Sequence, residues 1–271
     1  MQSSLLMNAA TVGFEFAGRR VLLSTPPGEE QSLAAVGRRF YATPIPGFVP
    51  PGDGVEPLDV GMPPGLRPCD RGQAIAVALV TAFDRAGLVP LHAAGLVAPP
   101  GSPGMIVFGA AGAGKTTLST ALMSVGWRVA TDDSLMLEPE TLDCRAFRRT
   151  MEPQIGWRAD GTRQKRSWDL AAEAPERFVA VFAPRGLVFL GSRRETATAL
   201  SRISASEAFL RLLAVAGRPD PVRIEILGRL ASCGPAFEAS CGPDVIRAPE
   251  IVSASLSAAF SEAGSPDWVT S

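Results

Sequence analysis

Residues 105–126 read MIVFGAAGAGKTTLSTALMSVG, and this stretch decides the fold. Its first four residues are apolar and predict a buried strand. The glycine-rich segment of residues 109–116 follows, and residues 116–125 then have the apolar spacing of a helix that ends at Gly126. A strand, a glycine loop and a helix in this order are typical of a phosphate-binding loop.

The glycine loop, residues 109–116, has the composition needed to surround phosphate oxygens. Its three glycines let the backbone fold back, so that successive amide N–H groups point inward with the positive end of the following helix behind them. Lys115 adds a charge near the β and γ phosphates, and Thr116 offers its hydroxyl to Mg²⁺. We therefore expect ATP and Mg²⁺ as cofactors. The residues predicted to contact the nucleotide are Gly109, Ala110, Ala111, Gly112, Ala113, Gly114, Lys115, Thr116 and Thr117.

The alternative for this segment is a glycine-rich turn without a ligand. Only Lys115 and Lys165 are lysines, so a chance match to the motif is on the order of a few in a thousand. The strand before the loop and the helix after it favour phosphate binding.

The composition favours an enzyme over a protein that binds nucleic acid or a membrane. With 271 residues, 46% of them hydrophobic, the chain can form one large α/β domain or a catalytic domain with a smaller part. A formal net charge of -1 provides no basic field for nucleic acid or an anionic membrane. One histidine and four cysteines without a CxxC pair argue against zinc, and no apolar run approaches the ~18 residues of a membrane span. We expect a cytoplasmic enzyme with reduced thiols.

Two parts are predicted along the chain. Residues 12–24 suggest a hairpin around Gly18, and a stretch dense in proline and glycine follows it. Residues 1–72 are therefore predicted to form a small, irregular, β-rich N-terminal part. Residues 73–271 are predicted to form the P-loop domain, which opens with a helix at residues 73–86.

Further signals occur within this second part. They predict a strand at residues 89–98, a strand at 186–190, a helix capped by Ser204, a strand at 222–227 with the alternating pattern VRIEIL, and a last helix that opens at Pro249.

Two aspartates and one histidine lie near the loop in sequence. A strand predicted at residues 127–130 runs into Asp132 and Asp133, at the edge where a parallel sheet presents side chains to the phosphates. One carboxylate can organise Mg²⁺ and the other can accept a proton from an attacking hydroxyl, and the residues leave open which does which. His92 lies in the strand expected beside the loop. The alternatives are a solvated turn for the aspartates and a core position for the histidine.

Three segments together resemble the HPr kinase/phosphorylase family, in particular its stand-alone HPr-kinase-related serine kinases that act as peptide-tailoring enzymes. They are LHAAGL at residues 91–96, GAAGAGKTTLSTAL at 109–122 and GWRVATDDSLML at 126–137. The resemblance implies an α/β, phosphoenolpyruvate-carboxykinase-like P-loop fold, with a mixed sheet and flanking helices. It also implies transfer of the γ-phosphate of ATP to a serine hydroxyl.

The resemblance also implies roles for particular residues. His92 orients the active carboxylate, Asp132 is the general base and Asp133 is the metal-linked acid. With the loop residues, this gives Asp132, His92 and Lys115 as catalytic residues and Thr116 and Asp133 as metal-binding residues. The family's downstream Arg-Gly-Leu-Gly turn has no clear counterpart, since RGL at residues 185–187 continues into an apolar strand. This departure argues against phosphorylase activity and against HPr as the acceptor.

A basic segment, GTRQKR at residues 161–166, is a further candidate for binding phosphate. Arg163 and Lys165 are predicted to contact the nucleotide from a segment that closes as a lid. The alternative is a solvated surface loop.

The expected partner is a peptide or small protein that accepts the phosphate, with neither nucleic acid nor a membrane, in a homo-oligomer of unspecified size. One alternative is a kinase of small-molecule hydroxyls on the same scaffold. Another is a nucleotide-binding switch that moves without transferring phosphate.

Substitution of Lys115 and Asp132 tests these roles. We expect Lys115→Ala and Asp132→Asn each to abolish phosphate transfer, while the Asp132 variant still binds nucleotide, because it keeps the loop and its lysine. A transfer assay and a nucleotide-binding titration check this. An Asp132→Asn variant that transfers phosphate at the normal rate would show that Asp132 is not the base.

Overall fold

A computed structural model divides the chain into two units, Met1–Pro90 and Leu91–Ser271. It describes residues 10–40, 43–45, 58–60, 67–99, 104–147, 150–157, 162–216 and 220–263. Several sheets and helices make up the two units, and the prediction of a mixed α/β protein is confirmed.

The first unit contains a four-stranded sheet and two helices. The predicted hairpin is confirmed, because the first two strands pair antiparallel around Gly18. The strand order is β3-β1-β2-β4. The elements are β1 (Ala10–Phe16), β2 (Arg19–Thr25), α1 (Glu30–Arg39), β3 (Thr43–Ile45), β4 (Leu58–Asp59) and α2 (Pro68–Arg85).

Helix α2 starts earlier than its sequence pattern predicts. Pro68 stands in its first turn, where the missing N–H of proline costs no hydrogen bond. The predicted boundary after residue 72 falls inside this helix, whereas the division into units lies between Pro90 and Leu91. Phe83 of α2 packs edge-on against Phe16 of β1, with ring centroids 5.5 Å apart.

The second unit is organised by a six-stranded mixed sheet of order β17-β18-β16-β7-β6-β8. Within this sheet β16 is parallel to both β7 and β18, whereas β6 is antiparallel to β7 and β8. The elements that follow α2 are β5 (Val89–Leu91), β6 (Ala93–Val97), β7 (Gly104–Phe108), α3 (Lys115–Ser124), β8 (Arg128–Thr131), β9 (Leu135–Leu137), β10 (Cys144–Ala146), β11 (Thr150–Met151), β12 (Gln154–Trp157), β13 (Arg163–Lys165), β14 (Trp168–Asp169), α4 (Leu170–Glu173), β15 (Val181–Phe182), β16 (Pro184–Leu190), β17 (Ala199–Ile203), α5 (Ala205–Val215), α6 (Pro221–Ala231), β18 (Ala236–Ser240), α7 (Asp244–Arg247) and α8 (Pro249–Ala263).

Smaller pairings complete the second unit. Strand β10 pairs antiparallel with both β9 and β15, and the pairs β11–β14 and β12–β13 are also antiparallel.

The core of the second unit holds α3 against the sheet. Every residue of β6 and β7 is buried, as expected for strands covered on both faces. Leu118 and Leu122 of α3 are buried in the same cluster as Leu256 and Phe260 of α8. Each such side chain stabilises the fold by about 1.5–3 kcal/mol. The end of β7 and the start of α3 are therefore fixed, and so is the loop between them.

The strand predicted at residues 222–227 is wrong, because these residues belong to helix α6. Asp220 caps this helix by accepting a hydrogen bond from the Arg223 amide, and Pro221 fills its first turn. The alternation of VRIEIL is misleading, since Val222 is 67% exposed. The buried residues recur at helical spacing and extend beyond the hexapeptide; they are Ile226, Leu227, Leu230 and Ala231.

Tight packing at Gly186 in β16 yields a stability prediction. A Cβ at this position would overlap the Phe260 ring and lie 2.9 Å from the Pro235 carbonyl oxygen. We expect Gly186→Ala to destabilise the protein by about 2 kcal/mol, because a packed core accommodates extra volume only with strain. Gly228→Ala is the control in the same unit, since its Cβ would meet nothing closer than 3.9 Å and alanine favours the helix. Thermal unfolding measures both, and equal melting temperatures would contradict this packing.

Candidate active site

The glycine loop connects β7 to α3, and two of its three glycines have positive φ angles. Gly112 and Gly114 have φ angles of 80° and 114°, a region that residues with a side chain rarely adopt. Gly114 is the N-cap residue of α3, and the Ala113 amide donates to the Ala110 carbonyl at 3.0 Å. The loop therefore ends at the positive end of a ten-residue helix, which favours an anion.

Lys115 is held inside the loop. Its side chain is largely buried, and Nζ donates to the Gly109 carbonyl at 2.6 Å and to the Ala110 carbonyl at 3.4 Å. Burial lowers the pKa of Lys115, while the charges of Asp133 and Asp132 act in the opposite direction. The amine is thus positioned by two carbonyl groups of the loop itself.

Asp132 is connected to the first turn of α3. Strand β8 ends at Thr131, so Asp132 directly follows a buried strand. The Thr116 hydroxyl donates to Asp132 Oδ2 at 2.6 Å, and the Asp132 residue is only 5% exposed. This short hydrogen bond to a carboxylate joins the glycine loop to the aspartate pair.

Asp133 faces a different partner, His92. His92 is the residue directly after β5, and its Nδ1 atom lies 3.2 Å from Asp133 Oδ1. The Nε2 atom of His92 lies 3.2 Å from Lys115 Nζ. Because a lysine ammonium can only donate, Nε2 must accept, and this leaves the ring proton on Nδ1, the nitrogen that lies near Asp133. The result is a chain of close polar contacts from Lys115 through His92 to Asp133.

The turn after β8 fixes the two carboxylates in different directions. Thr131 Oγ1 accepts from the amides of Asp133 and Ser134 at 3.3 and 3.4 Å. The Ser134 hydroxyl also donates to Asp133 Oδ2 at 3.3 Å. Asp133 keeps 30% of its side chain exposed, unlike the buried Asp132. One carboxylate is therefore enclosed beside the loop and the other reaches solvent.

The oxygen atoms of this site suit Mg²⁺. Hydroxyl and carboxylate oxygens, here from Thr116, Asp132 and Asp133, are the ligands that this ion prefers in proteins. Over the described ranges of the chain, no three acidic, histidine or cysteine side chains form a ready-made metal cluster. Mg²⁺ usually keeps several water ligands and is bound through one or two carboxylates together with substrate phosphates, and the hydroxyl and carboxylates of this site fit that pattern.

The structure describes residues 162–166 of the basic segment that is predicted to contact the nucleotide. Residues 158–161 lie outside the described residues, and Arg163 and Lys165 belong to β13. Lys165 Nζ lies 3.6 Å from Glu152 Oε2 in an exposed ion pair. Contact of Arg163 and Lys165 with a nucleotide stays a prediction.

Sequence reasoning missed one cation at the loop. Arg193, in the segment after β16, donates through Nη2 to the Gly112 carbonyl at 3.2 Å. The available signal was its position, because Arg193 and Arg194 follow a buried strand at the sheet edge where ligands bind. The 81 residues between the two partners hide the contact in the sequence.

The three cysteines whose side chains the structure describes agree with a structural role. Cys144, Cys233 and Cys241 are free thiols. Burial raises the pKa of Cys233 to about 11 and also raises the pKa values of Cys144 and Cys241. These thiols are therefore protonated near neutral pH, which makes them poor nucleophiles.

Comparisons with known proteins find similarity in structure but none in sequence. No family model matches the sequence. No curated protein matches it significantly. Among solved structures, the chain is similar to the Hpr(Ser) kinase/phosphatase from Coxiella burnetii, with 16% identity and a TM-score of 0.37 over 64% of this chain and 91% of that one. A likeness at this level does not establish a shared function.

In the described part of the chain, no helix has the length and apolarity needed to cross a membrane.

The hydrogen bond between Thr116 and Asp132 gives a stability test of the site. Thr116→Val keeps the shape of the side chain and removes the donor to a buried carboxylate, so we expect a loss of about 1–2 kcal/mol of unfolding free energy. Thr116→Ser keeps the donor and should stay closer to wild type. Thr117→Val, at the exposed neighbouring position, is the control. Urea unfolding measures the three variants, and equal losses for the two valine variants would contradict the contact.

Proposed function

We propose that the protein is an ATP- and Mg²⁺-dependent phosphotransferase that moves the γ-phosphate to a hydroxyl group. Its fold, in this proposal, is the phosphoenolpyruvate-carboxykinase-like P-loop fold. The observation that carries the proposal is the arrangement at the end of the glycine loop. There Thr116 donates to Asp132, while Lys115 and Asp133 are joined through His92.

Nucleotide binding would use the loop and its lysine. The amides of a glycine loop at a helix N-terminus bind phosphate oxygens, and Lys115 supplies a point charge beside them. Thr116 and Asp132 are the residues that would hold Mg²⁺, directly or through water. When bound, this ion neutralises charge on the β- and γ-phosphates.

The geometry favours an exchange of the roles assigned to the two aspartates by family resemblance. Asp132 is buried and accepts from Thr116, the residue with the expected metal-binding hydroxyl, so it belongs with the metal. Asp133 is partly exposed and is oriented by His92, so it can meet a substrate hydroxyl. We therefore propose Asp133 as the proton acceptor and Asp132 as the residue that organises the metal.

In the transfer step, one bond to the γ-phosphorus forms, one breaks, and one proton is accepted. The acceptor oxygen forms a bond to the γ-phosphorus, the bond from that phosphorus to the β–γ bridging oxygen breaks, and ADP leaves. The proton of the hydroxyl passes to the Asp133 carboxylate, whose other contacts fix its direction. Positioning and charge neutralisation carry most of the catalysis in such reactions.

The acceptor in this proposal is a serine of a peptide or small protein. It is the hydroxyl class implied by the resemblance of residues 88–138, and a partly exposed base suits an acceptor that enters from solvent. A small-molecule hydroxyl is the alternative that the same assay can detect.

Two amide substitutions separate the aspartate roles. Asp133→Asn should lower phosphate transfer by about 10²–10⁴-fold with little change in Mg²⁺–ATP affinity, because only the proton acceptor is lost. Asp132→Asn should instead raise the Mg²⁺ concentration needed for nucleotide binding. Calorimetric titration gives the affinities, and mass spectrometry of serine-containing peptides and of metabolite hydroxyls gives the transfer.

The control is Glu140→Gln, which replaces an exposed carboxylate of the same unit outside the site. It should match wild type in both measurements. A wild-type protein that binds no Mg²⁺–ATP would refute the proposed function. Tight binding without transfer to any hydroxyl would favour a nucleotide-dependent switch.

A further inference from the structure

Arg193 lies beside the glycine loop without belonging to the motif. It is exposed, and its guanidinium donates to the Gly112 carbonyl at 3.2 Å through Nη2. Gly112 is itself exposed and stands three residues before Lys115. A single hydrogen bond through Nη2 uses one of five N–H donors, so the guanidinium keeps donors for an anion at the mouth of the loop.

The segment that carries Arg193 is held in place on both sides. The Gly191 amide donates to the Ala239 carbonyl and the Arg194 amide donates to the Cys241 carbonyl, both at 2.9 Å. Further along, the Thr198 amide and hydroxyl both donate to the Asp244 carboxylate. These contacts fix the segment to the strand end of β18 and to α7. The position of the arginine backbone therefore does not depend on a ligand.

A bound nucleotide would need a second cation at the loop besides Lys115. Lys115 faces two carboxylates, Asp132 and Asp133, and both of them interact with its charge. A nucleoside triphosphate adds several further negative charges, of which Mg²⁺ neutralises a part. A guanidinium suits phosphate because its donors form a planar fork that matches two oxygens.

We propose that Arg193 is a nucleotide-binding residue that donates to the phosphate chain at the outer side of the glycine loop. This inference rests on the proposed function, since it takes a nucleotide as the ligand. Arg193 then binds from the β16 side of the loop, and Lys115 binds from within it. Arg194 is not given this role, because its guanidinium is directed to Thr196 Oγ1 in its own segment, whereas that of Arg193 is directed to the Gly112 carbonyl of the loop.

Titration of a non-hydrolysable ATP analogue with Mg²⁺ tests the proposal. Arg193→Gln should weaken binding by about tenfold at low salt, the size expected for one charge-assisted contact. Arg193→Lys keeps the charge but not the fork and should fall between wild type and the glutamine variant. Arg194→Gln is the matched control and should bind within about twofold of wild type.

The salt dependence of the dissociation constants distinguishes a contact with phosphate from structural support of the loop. An exposed charge is screened at high ionic strength, so the ratio of the Arg193→Gln and wild-type dissociation constants should fall towards one near ~1 M salt. If Arg193 only supported the loop through its hydrogen bond to the Gly112 carbonyl, that ratio would not change with salt. A constant ratio, or equal affinities for the Arg193 and Arg194 glutamine variants, would overturn the proposal.

The outcome for the wild-type protein keeps the two proposals apart. If it does not bind the analogue, the proposed function fails and the Arg193 inference fails with it. If wild type and Arg194→Gln bind normally and Arg193→Gln binds equally well, only the inference about Arg193 is wrong.

Discussion

The hydrogen bond from Thr116 to Asp132 joins the two segments on which the site depends. Thr116 belongs to the first turn of α3, and Asp132 directly follows β8. The bond is 2.6 Å long and its acceptor is buried, so a small displacement of either segment would leave a carboxylate poorly solvated. The packing of α3 on the sheet therefore also sets the distance between the glycine loop and the aspartates.

The electrostatics of the site follow from this arrangement. Burial disfavours the charged form of Lys115 and lowers its pKa, while the two nearby carboxylates favour the charge. His92 lies between Lys115 and Asp133, with Nε2 3.2 Å from the lysine amine and Nδ1 3.2 Å from the Asp133 carboxylate. In the proposed function, phosphate would meet a lysine that is already desolvated and oriented, so its binding would need little reorganisation.

The sequence predicted those parts of the site that are local. The glycine loop, its strand and its helix lie within residues 105–126, and glycine positions with positive φ have few alternatives to glycine. The spacing of His92, Asp132 and Asp133 was visible because each of them flanks an apolar strand. By contrast, the partner of each aspartate depends on side-chain directions after the turn at Thr131, which spacing does not contain.

Long-range contacts and ambiguous periodicity explain what could not be predicted. Arg193 reaches the loop only because β16 pairs with β7, a pairing of strands that are far apart in sequence. Residues 222–226 of helix α6 alternate between apolar and polar, as in a strand. The helix is specified by its cap Asp220, by Pro221 in its first turn and by buried residues that extend beyond the hexapeptide.

The central claim is that the glycine loop and the aspartate turn form one phosphoryl-transfer site. A crystal structure with Mg²⁺ and a non-hydrolysable ATP analogue tests it most directly. The account predicts the phosphate chain on the loop amides, Mg²⁺ beside Thr116 and Asp132, and the Asp133 carboxylate facing the γ-phosphate from the solvent side. A nucleotide bound elsewhere, or an Asp133 carboxylate turned away from the γ-phosphate, would contradict it.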